Sequence, residues 1–266
     1  MKNRITYICV SGAFLLMVSA CQKTPVPRGQ DSPDIQSGSG EVVRVKMPHF
    51  DHPDEPENLL KNPGFEDGLE NWTWLDWSKG WAPFALSTDH ALEGTKSLYL
   101  PVLSTDNRPT VVWGGVQEIE LSGDIPECID GSYFVENWTS GDWKQYLQLV
   151  VIDLTHPLGP NRGQAQLRYI VSGSKEPPLT ISNASYLFAE KERRDTPVIG
   201  RWTHFSVNPR ADYLNSWQYT PGAGSKLRIL FEGRYDLHHN PDLPARADVY
   251  YDDLYFGPKT DTRCVE

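Results

Sequence analysis

The fold class of this chain is decided by two segments, YLQLVVIDL at residues 146–154 and AQLRYIV at residues 165–171. In both segments alternate side chains are apolar, and this period of two is typical of a β-strand that buries one face. The pattern predicts that Leu147, Leu149 and Val151 point into a core. The residues between them face the other side of the sheet.

Similar short runs recur along the chain and are separated by Gly, Pro, Asn and Asp, which favour turns. They lie at residues 82–87, 97–102, 111–121, 132–138, 202–207, 226–232 and 248–256. Helical patterns are confined to residues 186–194 and to a single turn at 211–217. Many short strands with turns between them predict an all-β fold, a two-layer antiparallel β-sandwich of the jelly-roll type.

The composition agrees with a folded protein that does not bind nucleic acid. Of the 266 residues, 39% are hydrophobic and 11% are aromatic, which is too apolar for a disordered chain. The formal net charge is −10, whereas a general nucleic-acid binder needs a basic surface to face phosphates. We therefore exclude nucleic acid as a partner.

Residues 1–20 form a predicted signal peptide. Two basic residues precede an apolar run at residues 5–18 that is too short to span a bilayer comfortably. The run ends in LMVSAC at residues 16–21, which resembles a bacterial lipobox. The resemblance implies cleavage before Cys21 and a lipid on its thiol, and an ordinary signal peptide is the alternative.

The lipobox predicts an exported protein, anchored in the bacterial cell envelope by the lipid on Cys21. The outer membrane is favoured because Gln22, and not Asp, follows the cysteine, by resemblance to enterobacterial sorting signals. Residues 21–57 are rich in Pro, Gly, Ser and Asp and are predicted to form a flexible tether. The folded domain is then expected at residues 58–258, with a C-terminal tail at residues 259–266.

Two cysteines remain in the predicted domain and tail. Cys9 is removed with the signal peptide and Cys21 carries the lipid, which leaves Cys128 and Cys264. In an oxidising compartment these two can form one disulfide. A bridge and two free thiols are both compatible with the sequence.

The strands also predict a polar and aromatic sheet face. The side chains of opposite parity to the core include carboxylates, amides, guanidinium groups and rings. The candidate carbohydrate-binding residues are Glu136, Trp138, Tyr146, Gln148, Arg168, His204 and Arg228. Apolar faces of sugars stack on aromatic rings, and polar side chains of this kind bind their hydroxyl groups. The alternative is that these are ordinary outward residues of unrelated strands.

Three motifs follow one another along the predicted domain. They are NLLKNPGFEDGL at residues 58–69 with Asn71-Trp72 behind it, ALEGTKSL at residues 91–98, and VYYDDL at residues 249–254. Together they resemble carbohydrate-binding modules of the galactose-binding-like jelly-roll type, as in families 4, 9 and 22. The resemblance implies the same fold and a polysaccharide or oligosaccharide ligand.

The resemblance also implies a structural Ca²⁺ ion where the first and last strands meet. Carried over to this chain, the ligands are Glu66, Asp89, Asp252 and backbone oxygens near Gly64 and Thr95 or Lys96. Ca²⁺ binds about six to eight such hard oxygen atoms. The alternative is that Glu66 caps a turn and Asp252 accepts hydrogen bonds from backbone amides.

We predict that the protein binds extracellular carbohydrate without catalysis. A polysaccharide lyase or a glycosidase on the same sandwich is the first alternative, with His204 or Tyr146 as the base of a lyase. An envelope lipoprotein that binds another protein is the second. The sandwich hosts many functions, so the residues of the site must decide among these.

Overall fold

The computed structural model describes residues 57–104, 108–159, 162–240 and 242–265. The predicted signal peptide, Cys21 and almost all of the predicted tether lie outside these ranges. Within them the chain forms eleven strands and one helix. Their bounds are β1 Trp81–Ala82, β2 Ala85–Ser87, β3 Ser97–Leu103, β4 Val111–Glu120, β5 Cys128–Thr139, β6 Lys144–Pro157, β7 Gln164–Ser172, β8 Ala184–Phe188, β9 Trp202–Val207, α1 Pro209–Trp217, β10 Lys226–Asp236 and β11 Arg246–Gly257.

The strands form two sheets that enclose a common core. The six-stranded sheet has the order β1-β4-β10-β6-β7-β8, and the five-stranded sheet has the order β2-β3-β11-β5-β9. Neighbouring strands are antiparallel except at two edges, where β1 pairs with β4 and β8 pairs with β7 in parallel. The predicted two-layer antiparallel β-sandwich is confirmed.

The core follows the alternation of the sequence. Leu147 and Leu149 are fully buried, as predicted. Rings from both sheets meet between the layers, because Phe231 of β10 has its ring centroid 6.3 Å from that of Phe205 and 5.8 Å from that of Tyr251. Since burial of one such side chain contributes about 1.5–3 kcal/mol, these contacts hold the two layers together.

One of the two helical predictions is wrong. In place of the helix predicted at residues 186–194, Ala184–Phe188 form strand β8 and pair with β7, because sheet pairing satisfies the backbone groups that a helix would satisfy internally. The other is confirmed, since α1 begins after Asn208, whose side chain accepts a hydrogen bond from the Ala211 amide.

Among the described residues, no helix has both the length and the apolar character that a membrane crossing needs.

The opening motif lies against the closing strand β11. The Asn58 side chain accepts a hydrogen bond from the Phe256 amide at 3.0 Å and donates one to the Leu254 carbonyl at 2.9 Å. Phe65 and Trp72 of the same motif are buried, with ring centroids 5.0 Å apart. The two ends of the domain are therefore joined both by hydrogen bonds and by the core.

A disulfide fixes the C-terminal tail to strand β5. Cys128 and Cys264 are bonded, with their Cα atoms 5.8 Å apart, which decides the alternative that the sequence leaves open. The adjacent Arg263 donates a hydrogen bond to Asp130 at 2.9 Å and forms an ion pair with Asp253. The tail is thus held by a covalent bond and by charge.

Candidate functional site

The structure divides the seven predicted carbohydrate-binding residues between the two sheets. Tyr146, Gln148, Arg168 and Arg228 lie on the six-stranded sheet, whereas Glu136, Trp138 and His204 lie on the five-stranded sheet. The expectation that they share one face is wrong. Alternation predicts which side of its own sheet a residue takes, but the two layers of a sandwich have opposite outward directions.

Trp138 also points to a different side than predicted. Strand β5 has a bulge opposite the Asp248–Val249 step of β11, and beyond it Asn137 pairs with Asp248 while Trp138 pairs with Ala247. A bulge adds one residue and so shifts the alternation by one. Trp138 packs against the core, and its assignment to the outward polar face is wrong.

The outer face of the six-stranded sheet carries a buried group of polar side chains, which we call the polar cluster. It consists of Tyr146 and Gln148 of β6 and Glu232, Arg234 and Asp236 of β10. The strand register places Glu232 opposite Gln148 and Arg234 opposite Tyr146. All five residues are buried, although their parity directs them away from the core.

Charged hydrogen bonds hold the polar cluster together. Arg234 donates from Nε and Nη2 to the two carboxylate oxygens of Asp236, at 3.1 and 2.6 Å. The Tyr146 hydroxyl donates to Asp236 at 2.5 Å, and the Gln148 amide donates to Glu232. Arg234 Nη1 lies 3.5 Å from Glu232, so two carboxyl groups share one guanidinium. Bidentate pairs of this kind fix the geometry of both partners.

Tyr146 and Arg234 of the polar cluster both stay protonated and act as hydrogen-bond donors. Burial raises the pKa of Tyr146 well above its ordinary value, so its hydroxyl stays a neutral donor. Burial lowers the pKa of Arg234, but Tyr146, Asp236 and Glu232 raise it by more, and the guanidinium stays charged. Tyr146 is therefore poorly suited to act as the base that the lyase alternative requires.

One polar atom of the polar cluster and one on a neighbouring strand are buried and lack a hydrogen-bond partner among the described residues. They are Gln148 Oε1 and the hydroxyl of Tyr186, which lies on β8. Burial raises the pKa of Tyr186, whereas the charges of Arg168 and Arg234 lower it. The strand register pairs Tyr186 with Arg168. A buried polar atom without a partner costs about 1–3 kcal/mol. Both atoms are out of contact with solvent, so a polar ligand would offset that cost only where the surrounding side chains move aside.

A groove of about 540 Å³ lies at the β1 edge of the same sheet, and its walls include Lys79, Trp81 and Arg108. Trp81 is partly buried on apolar side chains of the sheet's outer face. Gly114 lies between the ring and the polar cluster, because a Cβ atom there would lie 3.4 Å from the Trp81 ring, 3.2 Å from Glu232 Cγ and 2.9 Å from the Phe231 carbonyl oxygen. Trp81 and the polar cluster are thus neighbours across one glycine.

The other predicted residues of this face are engaged at its rim. Arg228 donates to Glu118 at 3.1 and 2.6 Å, and Lys226 lies 2.5 Å from the same carboxylate. Hydrogen bonds from Lys226 and Arg228 lower the pKa of Glu118. Arg168 donates to Gln166 at 3.0 and 2.8 Å. Both arginines are partly exposed and already bound to neighbours.

Five side chains of this site are absent from the seven predicted carbohydrate-binding residues. They are Trp81, Tyr186, Glu232, Arg234 and Asp236. The strand predicted at residues 226–232 ends before the last two, and continuing its alternation would have included both. Tyr186 lies in the stretch predicted to be helical. Trp81 is one of four tryptophans within ten residues, and no local pattern distinguishes it.

The predicted residues of the five-stranded sheet lie in other surroundings. Glu136 is exposed and accepts a hydrogen bond from the Tyr250 hydroxyl at 3.3 Å. His204 lies on the edge strand β9, with Nε2 2.8 Å from Asp130 Oδ2. Because Tyr146 lies in the opposite layer, His204 and Tyr146 do not converge on one centre.

Glu66 and Asp252, the predicted calcium ligands, both bind the loop at residues 92–96. Glu66 Oε1 accepts hydrogen bonds from the amides of Thr95 and Lys96, both at 2.8 Å. Asp252 Oδ2 accepts two amides of the same loop, at 2.7 and 3.1 Å. The Lys96 ammonium lies 2.6 Å from the Glu66 carbonyl oxygen. Both carboxylates therefore accept hydrogen bonds from one loop. Glu66 caps its turn and Asp252 binds its backbone amides, as the alternative to calcium binding states.

The predicted calcium ligands are only partly neighbours. Gly64 lies beside Asp252, since a Cβ atom on it would be 3.8 Å from Oδ1. The side-chain oxygens of Glu66, Asp89 and Asp252 do not all lie within 4.8 Å of one another, because the one described group of three or more Asp, Glu, His or Cys ligand atoms at that spacing is Cys128, Asp130 and Cys264. Calcium binding by the predicted set stays a prediction, and the ion would have to compete with the backbone amides that Glu66 and Asp252 already bind.

We expect the stability of the domain to be independent of calcium. Because backbone amides already bind both carboxylates, excess Ca²⁺ or EDTA should move Tm by less than about 2 °C. Thermal unfolding followed by circular dichroism measures this. A fall in Tm on chelation that Ca²⁺ reverses, and that Glu66→Gln removes, would contradict the expectation and assign the ion to this loop.

Comparison with known proteins gives structural neighbours. No family model and no curated protein matches this sequence. A family 61 carbohydrate-binding module in complex with β-1,4-galactotriose is 13% identical, with a TM-score of 0.40, over 76% of this chain and 99% of that chain. The module CBM27-1 of Caldicellulosiruptor saccharolyticus, in complex with mannohexaose, is 15% identical over 77% and 98%, with a TM-score of 0.40. The xylan-binding domain CBM22-1 of Paenibacillus barcinonensis Xyn10C is 14% identical over 77% and 97%, with a TM-score of 0.38.

By their descriptions these three neighbours are carbohydrate-binding modules, the class that the three motifs resemble. What each module binds is a property of that module, and the site of this chain is defined by its own residues.

Proposed function

We propose that this chain binds carbohydrate, without transforming it, on the outer face of its six-stranded sheet. The proposal rests on one observation, the partly exposed indole of Trp81 beside a buried polar cluster with unpartnered atoms on Gln148 and Tyr186. An indole offers a flat apolar surface to the C–H face of a sugar ring. Hydroxyl groups both donate and accept, so they suit an orphaned amide oxygen and an orphaned phenol together.

The charges of this face favour an uncharged sugar. Arg234 is bound to Asp236 and Arg228 to Glu118, while Arg168 donates to Gln166. A uronate carboxylate would have to displace one of these partners to obtain a cation on the sheet face. The groove beside Trp81 also has Lys79 and Arg108 in its walls, so cations are present at the edge of the face. We propose neutral oligosaccharides as the ligand of the sheet face, with acidic oligosaccharides as the comparison in the binding test.

We also propose that the domain acts at the bacterial cell surface. The lipobox at Cys21 and the tether at residues 21–57 support a lipid anchor, with the outer membrane favoured. Such an anchor would hold glycan close to the cell. Metabolic labelling with palmitate, abolished in Cys21→Ser, tests the anchor without reference to carbohydrate.

Replacing Trp81 by Ala is expected to weaken oligosaccharide binding at least about tenfold, the equivalent of 1.4 kcal/mol. Calorimetry with galacto-, manno- and xylo-oligosaccharides measures the affinity. Trp202→Ala is the matched control, because it removes a partly exposed indole from the five-stranded sheet and should leave the affinity unchanged.

Three results would overturn the proposal. A folded wild-type protein that binds no glycan, neutral or acidic, excludes carbohydrate binding. Loss of binding in Trp202→Ala, but not in Trp81→Ala, moves the site to the opposite layer. Release of reducing or unsaturated sugar ends establishes an enzyme instead of a binding protein.

A further inference from the structure

A second depression lies beside β9, on the five-stranded sheet. It has a volume of about 310 Å³ and is lined by β9 and by the chain around residues 189–194. Its charged lining residues are Glu190, Lys191, Glu192, Arg194, Arg201 and His204. Four basic side chains meet there in a chain whose net charge is −10.

The two carboxylates of this depression are already engaged. Glu192 forms an ion pair with Arg194, and Glu190 accepts a hydrogen bond from the buried Tyr133 hydroxyl. Burial raises the pKa of Glu190 above its ordinary value, which reduces its negative charge. Across the described ranges, Lys191 forms no ion pair, and neither does Arg201. The uncompensated charge of the depression is therefore positive.

His204 adds a charge that depends on pH. Its side chain is 54% exposed, and Nε2 lies 2.8 Å from the buried Asp130. The hydrogen bond to Asp130 outweighs burial and raises the pKa of His204 above its ordinary value. Of the other charged groups that face the ring, Arg263 lowers this pKa and Asp253 raises it. The imidazolium is thus stabilised on the wall of the depression.

We propose that this depression binds an oxyanion, a sulfate or phosphate group that is free or carried as a monoester. Lys191, Arg201 and His204 would supply the charged N–H donors that such a group requires. The planar fork of Arg201 suits two oxygens of one tetrahedral anion. The site lies beside β9 and the segment after β8, whereas Trp81 lies on β1 at the other edge of the six-stranded sheet, so the site is separate from the proposed carbohydrate site.

Titration of the mature chain with inorganic phosphate and sulfate tests this site, with chloride at equal ionic strength as the reference. We expect amide NMR shifts of residues near β9 that saturate with phosphate or sulfate but not with chloride. The variant Lys191→Ala/Arg201→Ala should bind about tenfold more weakly, because it removes two charged donors that are exposed to solvent and therefore each contribute less than a buried one. Lys61→Ala/Lys226→Ala removes equal charge elsewhere and should bind as the wild type does.

The dependence on pH identifies the part played by His204. Sulfate keeps the same charge across this range, so its affinity for the wild type should fall as pH rises through the pKa of His204, and His204→Gln should remove that dependence. Shifts no larger than those with chloride overturn the proposal, as does undiminished binding in Lys191→Ala/Arg201→Ala. Tighter binding of a sulfated oligosaccharide, or of vesicles with an anionic phospholipid, than of the inorganic ion would support the site and identify its carrier.

Discussion

Replacing Cys264 by Ser is expected to lower the free energy of unfolding by about 4 kcal/mol. The bridge to Cys128 spans a sequence separation of 136 residues. A cross-link over such a distance removes much of the conformational freedom of the unfolded chain, and its loss restores that freedom. For a domain of this size the change corresponds to a fall in Tm of roughly 10 °C.

The bridge also stabilises the folded state, because it keeps Arg263 and the Cys264 amide of the tail in contact with the buried carboxylate of Asp130. Asp130 is fully buried and accepts hydrogen bonds from Arg263, His204 and the Cys264 amide, at 2.9, 2.8 and 3.1 Å. Burial raises the pKa of Asp130, but these bonds outweigh burial and lower it. A detached tail would leave Asp130 with His204 alone, which adds to the cost of losing the bridge.

Urea unfolding of the wild type, Cys264→Ser and Cys128→Ser measures this effect. Reductant should bring the wild type to the stability of the two variants and leave the variants unchanged. Arg263→Met in the oxidised protein isolates the ionic contribution from the covalent one. A loss below about 1 kcal/mol in Cys264→Ser would show that the cross-link contributes little beyond the contacts of the tail.

The sequence predicted the two-layer fold because the strands alternate regularly. Leu147 and Leu149 are buried as the period of two requires. The same period could not place Tyr146 and His204 relative to each other, because each strand's partner sheet depends on pairing between distant segments. One bulge in β5 was enough to turn Trp138 towards the core. The local alternation therefore predicts which side chains of a strand point into the core. Which outward side chains lie together depends on how distant strands pair.

The motif resemblance predicted a long-range contact that alternation could not. Glu66 and Asp252 meet at the same loop, although they lie far apart in the chain. The atoms they bind are backbone amides, which a comparison of residue types does not reveal. Trp81 reaches the face through a two-residue pairing with β4 and a facing glycine at position 114. A contact set by the absence of a side chain leaves little trace in the sequence.

Replacing Arg234 by Met is expected to lower the free energy of unfolding by about 3–5 kcal/mol. Asp236 would lose a bidentate partner and Glu232 its nearest cation, and both residues are 2% exposed. Buried carboxylates without a cation are costly because water no longer solvates them. The methionine fills most of the volume of the arginine stem, so packing contributes little to this loss.

The triple variant Glu232→Gln/Arg234→Met/Asp236→Asn separates charge from shape. It removes all three formal charges, and most of the stability lost in Arg234→Met should return, because the cost lies in the unpaired carboxylates and not in the missing arginine. Urea unfolding of both variants makes the comparison, and equal stabilities would assign the cost to packing instead. Since the triple variant is expected to be folded, its oligosaccharide affinity reports what the charged cluster itself contributes to binding. A triple variant that is stable but binds no glycan would show that the charged groups take part in binding, whereas unchanged affinity would leave Trp81, Gln148 and Tyr186 as the recognition groups.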